Sequence, residues 1–224
     1  MMERPIVYIS NSLTGRDPYG VKKWRRRNSC ERIEWIVVHY TGMLVTQGDP
    51  DTASLAIARS KRAASTHYLV GDHIVQLLPV KYAAYHVGAK DENKLIPCYN
   101  GNSIGVDLCE CKLDCSSDSV SCNDWYFTPQ TFANGARLIA YLAQEYNIPT
   151  DHIVRHYDVT HKRCPRPFVG TDINAYTGQS HESAWREFVR TIVALRNGDS
   201  LTFGARGSCT AHCSASDKSP DLRC

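Results

Sequence analysis

In RHYDVTHKRCPRPF, Arg155 to Phe168, a histidine, an aspartate, a lysine and a cysteine fall within nine residues, His156 to Cys164. Pro165 and Pro167 then stop any helix. His156 and Cys164 are good zinc ligands, and Lys162 sets a cation beside the second of them. A zinc site that does chemistry takes three protein ligands and leaves a fourth position to water. The best candidate for the third is His39, which WIVVHYTG places at the C-terminal end of an apolar strand, where the side chain leaves the core. A histidine at a strand end is also commonly a satisfied polar residue, and spacing alone leaves both readings open.

The elements that must position these residues follow from hydrophobic period. RIEWIVVHYTG sets Ile33, Trp35, Val37 and His39 on one face and Ile36 and Val38 on the other, as in a strand covered on both sides. DTASLAIARSK predicts a short helix with Leu55, Ile57 and Ala58 inward. STHYLVGDHIVQLLPVKYAAYHVG holds two apolar runs around Gly71 and Asp72, a β-hairpin signal. NSIGVDLCE predicts a short strand, followed by a cysteine-rich loop from Cys109 to Asp124. TPQTFANGARLIAYLAQEYNIP predicts a helix capped by Thr128, with Pro129 in its first turn and Phe132, Ile139, Leu142 and Tyr146 at helical spacing. HIVRHYDV is expected as a strand, and ESAWREFVRTIVALRNG as a closing helix with Trp185, Val189 and Ile192 inward and Gly198 past its end. Strands alternating with helices predict one α/β domain, a central mixed β-sheet flanked by helices. The organisation expected is a basic segment over 1–30, the catalytic core over 31–198 and a Cys/Ser/Gly-rich tail over 199–224.

At 224 residues the chain can bury one good core. A net charge of +3 is too small to imply nucleic acid; it would suit an anionic polymer, but a solvated surface is the preferred reading. The run KKWRRR, Lys22 to Arg27, reads in the same two ways, as a solvated basic face or a grip on an anionic substrate. The first residues, MMERPIVYISNSLTGRD, have neither the pattern of a signal peptide nor that of a membrane helix, and no later run would span a bilayer. The expectation is a protein made in the cytoplasm. Of ten cysteines, one given to a metal leaves nine, which cannot all pair within one chain, so most are expected reduced. Cys109, Cys111, Cys115 and Cys122 do not match a recognised zinc-finger spacing, and they and the C-x₃-C of Cys209 and Cys213 are read as unbound thiols.

WIVVHYTG, STHYLVGDHIVQLLP, YHVG, NSIGVDLCE and VRHYDVTHKRCPRPF stand in an order and at distances that resemble the zinc-dependent N-acetylmuramoyl-L-alanine amidases. That superfamily includes peptidoglycan recognition proteins and phage endolysins, and the resemblance covers residues 30 to about 196. It is greatest to the phage and prophage branch, whose third ligand is a cysteine. The resemblance implies cleavage of the amide between the lactyl group of N-acetylmuramic acid and L-alanine, by a monomeric enzyme acting on the cell wall after release.

Carried over by position, the resemblance implies Zn²⁺ held by His39, His156 and Cys164, and Lys162 stabilising charge on the carbonyl oxygen. Lys162 and Arg163 beside Cys164 would favour a thiolate. Asp107 takes the general-base position, where the family usually has glutamate. Glu110, three residues on, falls on the opposite face of an ideal strand and is no simple substitute. His86 and His67 are candidate substrate-binding residues, with a structural role open for His67, and Asp158 is expected to turn the chain or orient an imidazole. The alternative is a non-catalytic peptidoglycan-binding protein on the same fold, which the aspartate at 107 would suit.

Overall fold

The computed structural model describes residues 3–10, 22–44, 46–88, 93–113 and 123–199. In chain order the strands are β1 (Tyr8–Ile9), β2 (Trp24–Arg26), β3 (Trp35–Tyr40), β4 (Tyr68–Val70), β5 (Ile74–Gln76), β6 (Tyr82–Ala84), β7 (Ser103–Leu108), β8 (Cys111–Lys112), β9 (Trp125–Tyr126) and β10 (Ile153–Arg155). The α-helices are α1 (Pro50–Arg59), α2 (Pro129–Glu145), α3 (His156–Thr160) and α4 (His181–Arg196). Six strands form a central sheet in the order β1-β5-β4-β7-β3-β10, in which only the β4–β5 hairpin is antiparallel. The mixed sheet and the hairpin are as the sequence predicts. Two small antiparallel pairs, β2 with β6 and β8 with β9, stand beside it.

Period-two alternation divides the sheet. Ile36 and Val38 of β3, with Ile104, Val106 and Leu108 of β7, turn to the face covered by Leu138, Ile139 and Leu142 of α2 and Trp185, Phe188 and Ile192 of α4. Each such buried side chain contributes about 1.5–3 kcal/mol of transfer free energy. The opposite face carries Trp35 and Val37, packed with Val87, Cys98 and Val159. His39, Ser103, Gly105 and Asp107 continue that second face, because they keep the same parity on β3 and β7. One face of the sheet is therefore core, and the other runs from core into polar chemistry.

α2 begins as its sequence predicts: the Thr128 side chain accepts the Thr131 N–H, and Pro129 occupies the first turn. α1 departs in one respect. Leu55 is 51% exposed, while Pro50, Ala53 and Ser54 are buried and Ile57 and Ala58 pack against the second core face. Position 55 lies about 200° round the helix from Ala53, away from the sheet.

Two further expectations are corrected. HIVRHYDV is a strand only to Arg155, and at His156 the chain turns into α3. Asp158 drives the change: its carboxylate accepts the Arg155 backbone N–H at 2.8 Å and also binds the Arg155 guanidinium. The same guanidinium reaches the Phe168 carbonyl and Glu182, so it ties the start of α3 to α4. The basic run is neither wholly solvated nor a free grip. Lys23 is buried and donates to the carbonyls of Ser60 and Arg62, Arg25 pairs with Glu31, and Arg27 donates to the carbonyls of Val80, Gly101 and Ser103. Alternate cations thus tie the segment around β2 to its neighbours, and Arg27 reaches β7 at Ser103.

Asp158→Ala removes the acceptor for the Arg155 N–H and half the pairing of a buried guanidinium. It should cost about 1–3 kcal/mol of stability, measured by urea denaturation of the metal-free protein, and an unchanged midpoint would show that α3 does not depend on this cap.

Candidate functional site

β3, β7 and β10 run parallel, so their C-terminal ends share one edge of the sheet, where open α/β sheets place their sites. His39 is the penultimate residue of β3, Asp107 is its register partner on β7, and His156 is the first residue after β10. Cys164 comes from the loop after α3. One ligand atom from each of His39, His156 and Cys164 lies within 4.8 Å of the others, and all three residues are buried.

The orientation of these donors suits a metal ion. His39 Nδ1 lies 3.7 Å from Cys164 Sγ, and the His39 and His156 rings meet edge to face with centroids 4.8 Å apart. His156 Nδ1 is buried without a hydrogen-bond partner, a costly state for an imidazole unless it serves as a ligand. Two imidazoles and a thiol form a donor set for a tetrahedral zinc-like ion with an open position. Burial pushes the pKa of His156 down to about 4 and that of His39 well below its usual 6.5, so both rings are neutral with lone pairs to offer. Cys164 behaves otherwise than its basic neighbours suggest. Burial pushes its pKa up to about 12, and the Tyr40 N–H and the Lys162 charge lower it by less. In the metal-free chain it is a thiol, and its deprotonation has to be coupled to an arriving cation.

The Asp107 carboxyl is likewise desolvated, which raises its pKa to about 7, opposed by a hydrogen bond from Thr66 and by the charge of Lys162. Its Oδ1 is buried and unpartnered. Lys162 is solvent-exposed, and its charge is felt at His39, His156, Cys164 and Asp107.

Of the two candidate substrate-binding histidines, His67 is buried and His86 half-buried. His67 is fully buried; its Nδ1 accepts the Gly105 N–H at 2.9 Å and its Nε2 donates to the Tyr82 carbonyl at 3.0 Å. Both nitrogens are committed to backbone, which favours the structural role of the two left open by the sequence. His86 Nδ1 is 3.0 Å from His39 Nε2, and its Nε2 is 3.2 Å from Ser103 Oγ.

Sequence reasoning missed Thr66, Ser103 and Gly105. The signal was available in STHY and NSIG, because a small residue every second position of a strand leaves room for a neighbour. A Cβ on Gly105 would stand 2.8 Å from His86 Cγ and 3.0 Å from Thr66 Oγ1, so only glycine admits both. Glu110 has a role of its own. Its two oxygens each accept a backbone N–H, from Thr41 and from Met43, at 2.9 Å, and the Thr41 hydroxyl adds a third donor. The loop leaving His39 is thereby clamped, although burial still raises this carboxyl to about 7. Cys30, Cys98 and Cys109 carry free thiols, while Cys115, Cys122, Cys209 and Cys213 lie outside the described residues.

A family model described as N-acetylmuramoyl-L-alanine amidase matches residues 29–167. A probable N-acetylmuramoyl-L-alanine amidase of Bacillus licheniformis is 39% identical over 115 residues, which is 49% of this chain and 29% of that protein. The amidase CwlL of the same organism is 35% identical over 146 residues, 61% of this chain and 37% of its own length. The chain therefore spans well under half the length of these relatives. Among solved structures, the PlyG catalytic domain superposes with a TM-score of 0.59 at 19% identity, covering 90% of this chain and 99% of that one. A mutant endolysin from Bacillus subtilis gives 0.56 at 23% identity, covering 84% and 99%. Both likenesses are of fold.

The titrations make a prediction for the metal-free protein. His39, His67, His86 and His156 are all held below their ordinary range, His67 near 3, so the unfolded chain takes up more protons at these sites. Their contribution to stability is present above about pH 6.5 and is lost as pH falls toward the folded values. Asp107 and Glu110, raised to about 7, act oppositely, with stability lost as pH rises through 7. Four imidazoles outweigh two carboxyls between about pH 5 and 6.5. The melting temperature of chelator-treated protein should drop from pH 7 to pH 5. A rise over that interval would mean that the histidines are not buried in the neutral form.

Proposed function

Because the chain belongs to the N-acetylmuramoyl-L-alanine amidase family, we propose that it hydrolyses the amide between N-acetylmuramic acid and L-alanine in bacterial peptidoglycan, as a zinc enzyme. The observation that carries this is the buried His39–His156–Cys164 group at the sheet edge, with the Asp107 carboxyl in register beside it. His39, His156 and Cys164 would hold the ion, and Zn²⁺ bound there supplies Lewis-acid charge that brings a water's pKa down to about 7.

The remaining chemistry belongs to side chains of this chain. Asp107, with Oδ1 free of protein partners, takes a proton from the attacking water as its oxygen bonds to the lactyl carbonyl carbon. The same carboxyl delivers that proton to the nitrogen of L-alanine as the carbon–nitrogen bond breaks, leaving a free amine and a lactyl carboxylic acid, which gives up its own proton to solvent. A carboxyl with a pKa near 7 is suited to accept and then release a proton at neutral pH. Lys162 presents its ammonium to the carbonyl oxygen as negative charge builds there.

The catalytic unit in this proposal is 31–198, preceded by the basic segment 1–30 and followed by the tail 199–224. Its setting is that of a monomeric phage or prophage endolysin, made in the cytoplasm and reaching the wall on release, with no nucleic-acid partner. No helix among the described residues is long and apolar enough to cross a membrane. The aspartate at the general-base position keeps a second assignment in play, a peptidoglycan-binding protein without turnover.

Purified peptidoglycan, mass spectrometry of the released fragments and elemental analysis of the same samples separate the two. Cys164→Ala should lose both zinc and cleavage, since two imidazoles hold the ion poorly. Asp107→Asn and Lys162→Met should keep zinc and lose on the order of 10²- to 10⁴-fold in rate. Zinc at full occupancy in Cys164→Ala would refute the ligand set, and wild-type zinc with no muramoyl–alanine cleavage would make the chain a binder.

A further inference from the structure

The hydrogen bonds behind His39 have a direction, fixed by the group at their far end. The Tyr99 carbonyl can only accept, so the Ser103 hydroxyl, 2.6 Å away, donates its proton to it. Ser103 then offers the neighbouring imidazole an acceptor alone, its Oγ lying 3.2 Å from His86 Nε2. His86 must therefore carry its proton on Nε2. Its Nδ1 is bare, and at 3.0 Å it can only accept from His39 Nε2. The His39 proton is thus on Nε2, and the lone pair on Nδ1, the atom that faces Cys164, is left to a ligand.

We propose that His86 is a positioning residue of the metal site, which fixes His39 in the tautomer and ring orientation that present Nδ1 to the ion, with Ser103 fixing His86 in turn. The inference rests on His39, His156 and Cys164 being zinc ligands. Metal-binding imidazoles generally donate their second N–H to a carboxylate, a carbonyl or water. Here another imidazole accepts it, and the chain of donors ends on backbone. Both His86 nitrogens are used inside the protein, so none is left for a substrate. The space for the ring comes from β7, where Gly105 lacks the Cβ that would stand 2.8–2.9 Å from His86 Cγ and Nδ1. His67, packed edge-on to His86 at 5.8 Å and held by backbone through both nitrogens, closes the other side.

The test is zinc affinity, measured on the metal-free full chain by competition with a chromophoric chelator, together with the visible spectrum of the cobalt-loaded protein. His86→Leu, which has no acceptor, should weaken zinc by about 10- to 100-fold and shift the cobalt bands. His86→Asn places an amide oxygen near the position of Nδ1 and should recover most of the affinity, which a purely space-filling role would not produce. Wild-type zinc affinity in a His86→Leu protein with native circular dichroism would overturn the proposal. If His86→Leu does not fold, Ser103→Ala decides: weaker zinc binding upholds the relay, and unchanged binding overturns it. Muramoyl–alanine cleavage by the wild type is scored separately, so zinc binding without cleavage refutes the enzymatic function and leaves the positioning role standing.

Discussion

Three imidazoles, the Glu110 carboxyl and the Cys164 thiol are buried at one end of a sheet, with His86 and Asp107 half-buried among them, and a charge there is costly without a partner. The rest of the structure is arranged around that constraint. Most of the set is matched within the protein: His67 by two backbone groups, His86 by Ser103 and His39, Glu110 by the Thr41 and Met43 amides. What stays unmatched is informative. His156 Nδ1 and Asp107 Oδ1 are the buried polar atoms of this group left without a protein partner, and they belong to the residues that the proposed chemistry needs for an ion and a water.

Parallel pairing makes the arrangement possible. β3 and β7 are in register from Trp35–Ser103 to Tyr40–Leu108, so His39 and Asp107 are direct neighbours on adjacent strands. Strands about 4.8 Å apart bring alternate side chains of one face into contact while the other parity is spent on core. Ile36, Val38, Val106 and Leu108 hold α2 and α4, and the polar residues between them owe their rigidity to that packing. β10 adds His156 by ending one residue earlier, where Asp158 converts the strand into a helical turn.

What was legible in the sequence was local. The alternation in WIVVHY, the hairpin around Gly71 and the Thr128 cap depend on neighbours within a few residues, and each appears as expected. His156 and Cys164 stood out by their local spacing, whereas His39, 125 residues from Cys164, was joined to them as a candidate donor through motif order. The inward turn of Lys23 and Arg27 was not legible, because it depends on carbonyls 37 to 76 residues further along the chain. The same holds for His86 and His67. A sequence shows that an imidazole is present beside a glycine, but not that both of its nitrogens will meet acceptors and donors supplied by another strand. Burial of Cys164 reversed a local inference for a similar reason, since two adjacent cations act on the thiol less than the protein around it does.

The aspartate at position 107 can be placed in these terms. Its side chain is one methylene shorter than glutamate, about 1.5 Å of reach. None of the contacts that build the candidate metal group uses that methylene: His39 is set by His86, His156 by the cap of α3, and Cys164 lies against His39. In the proposed mechanism, ion binding and general-base reach are therefore separable, and a change at 107 should fall on the rate while leaving the donors in place. In the proposed amidase, the reach of this one carboxylate is therefore the variable on which turnover, as distinct from ion binding, depends.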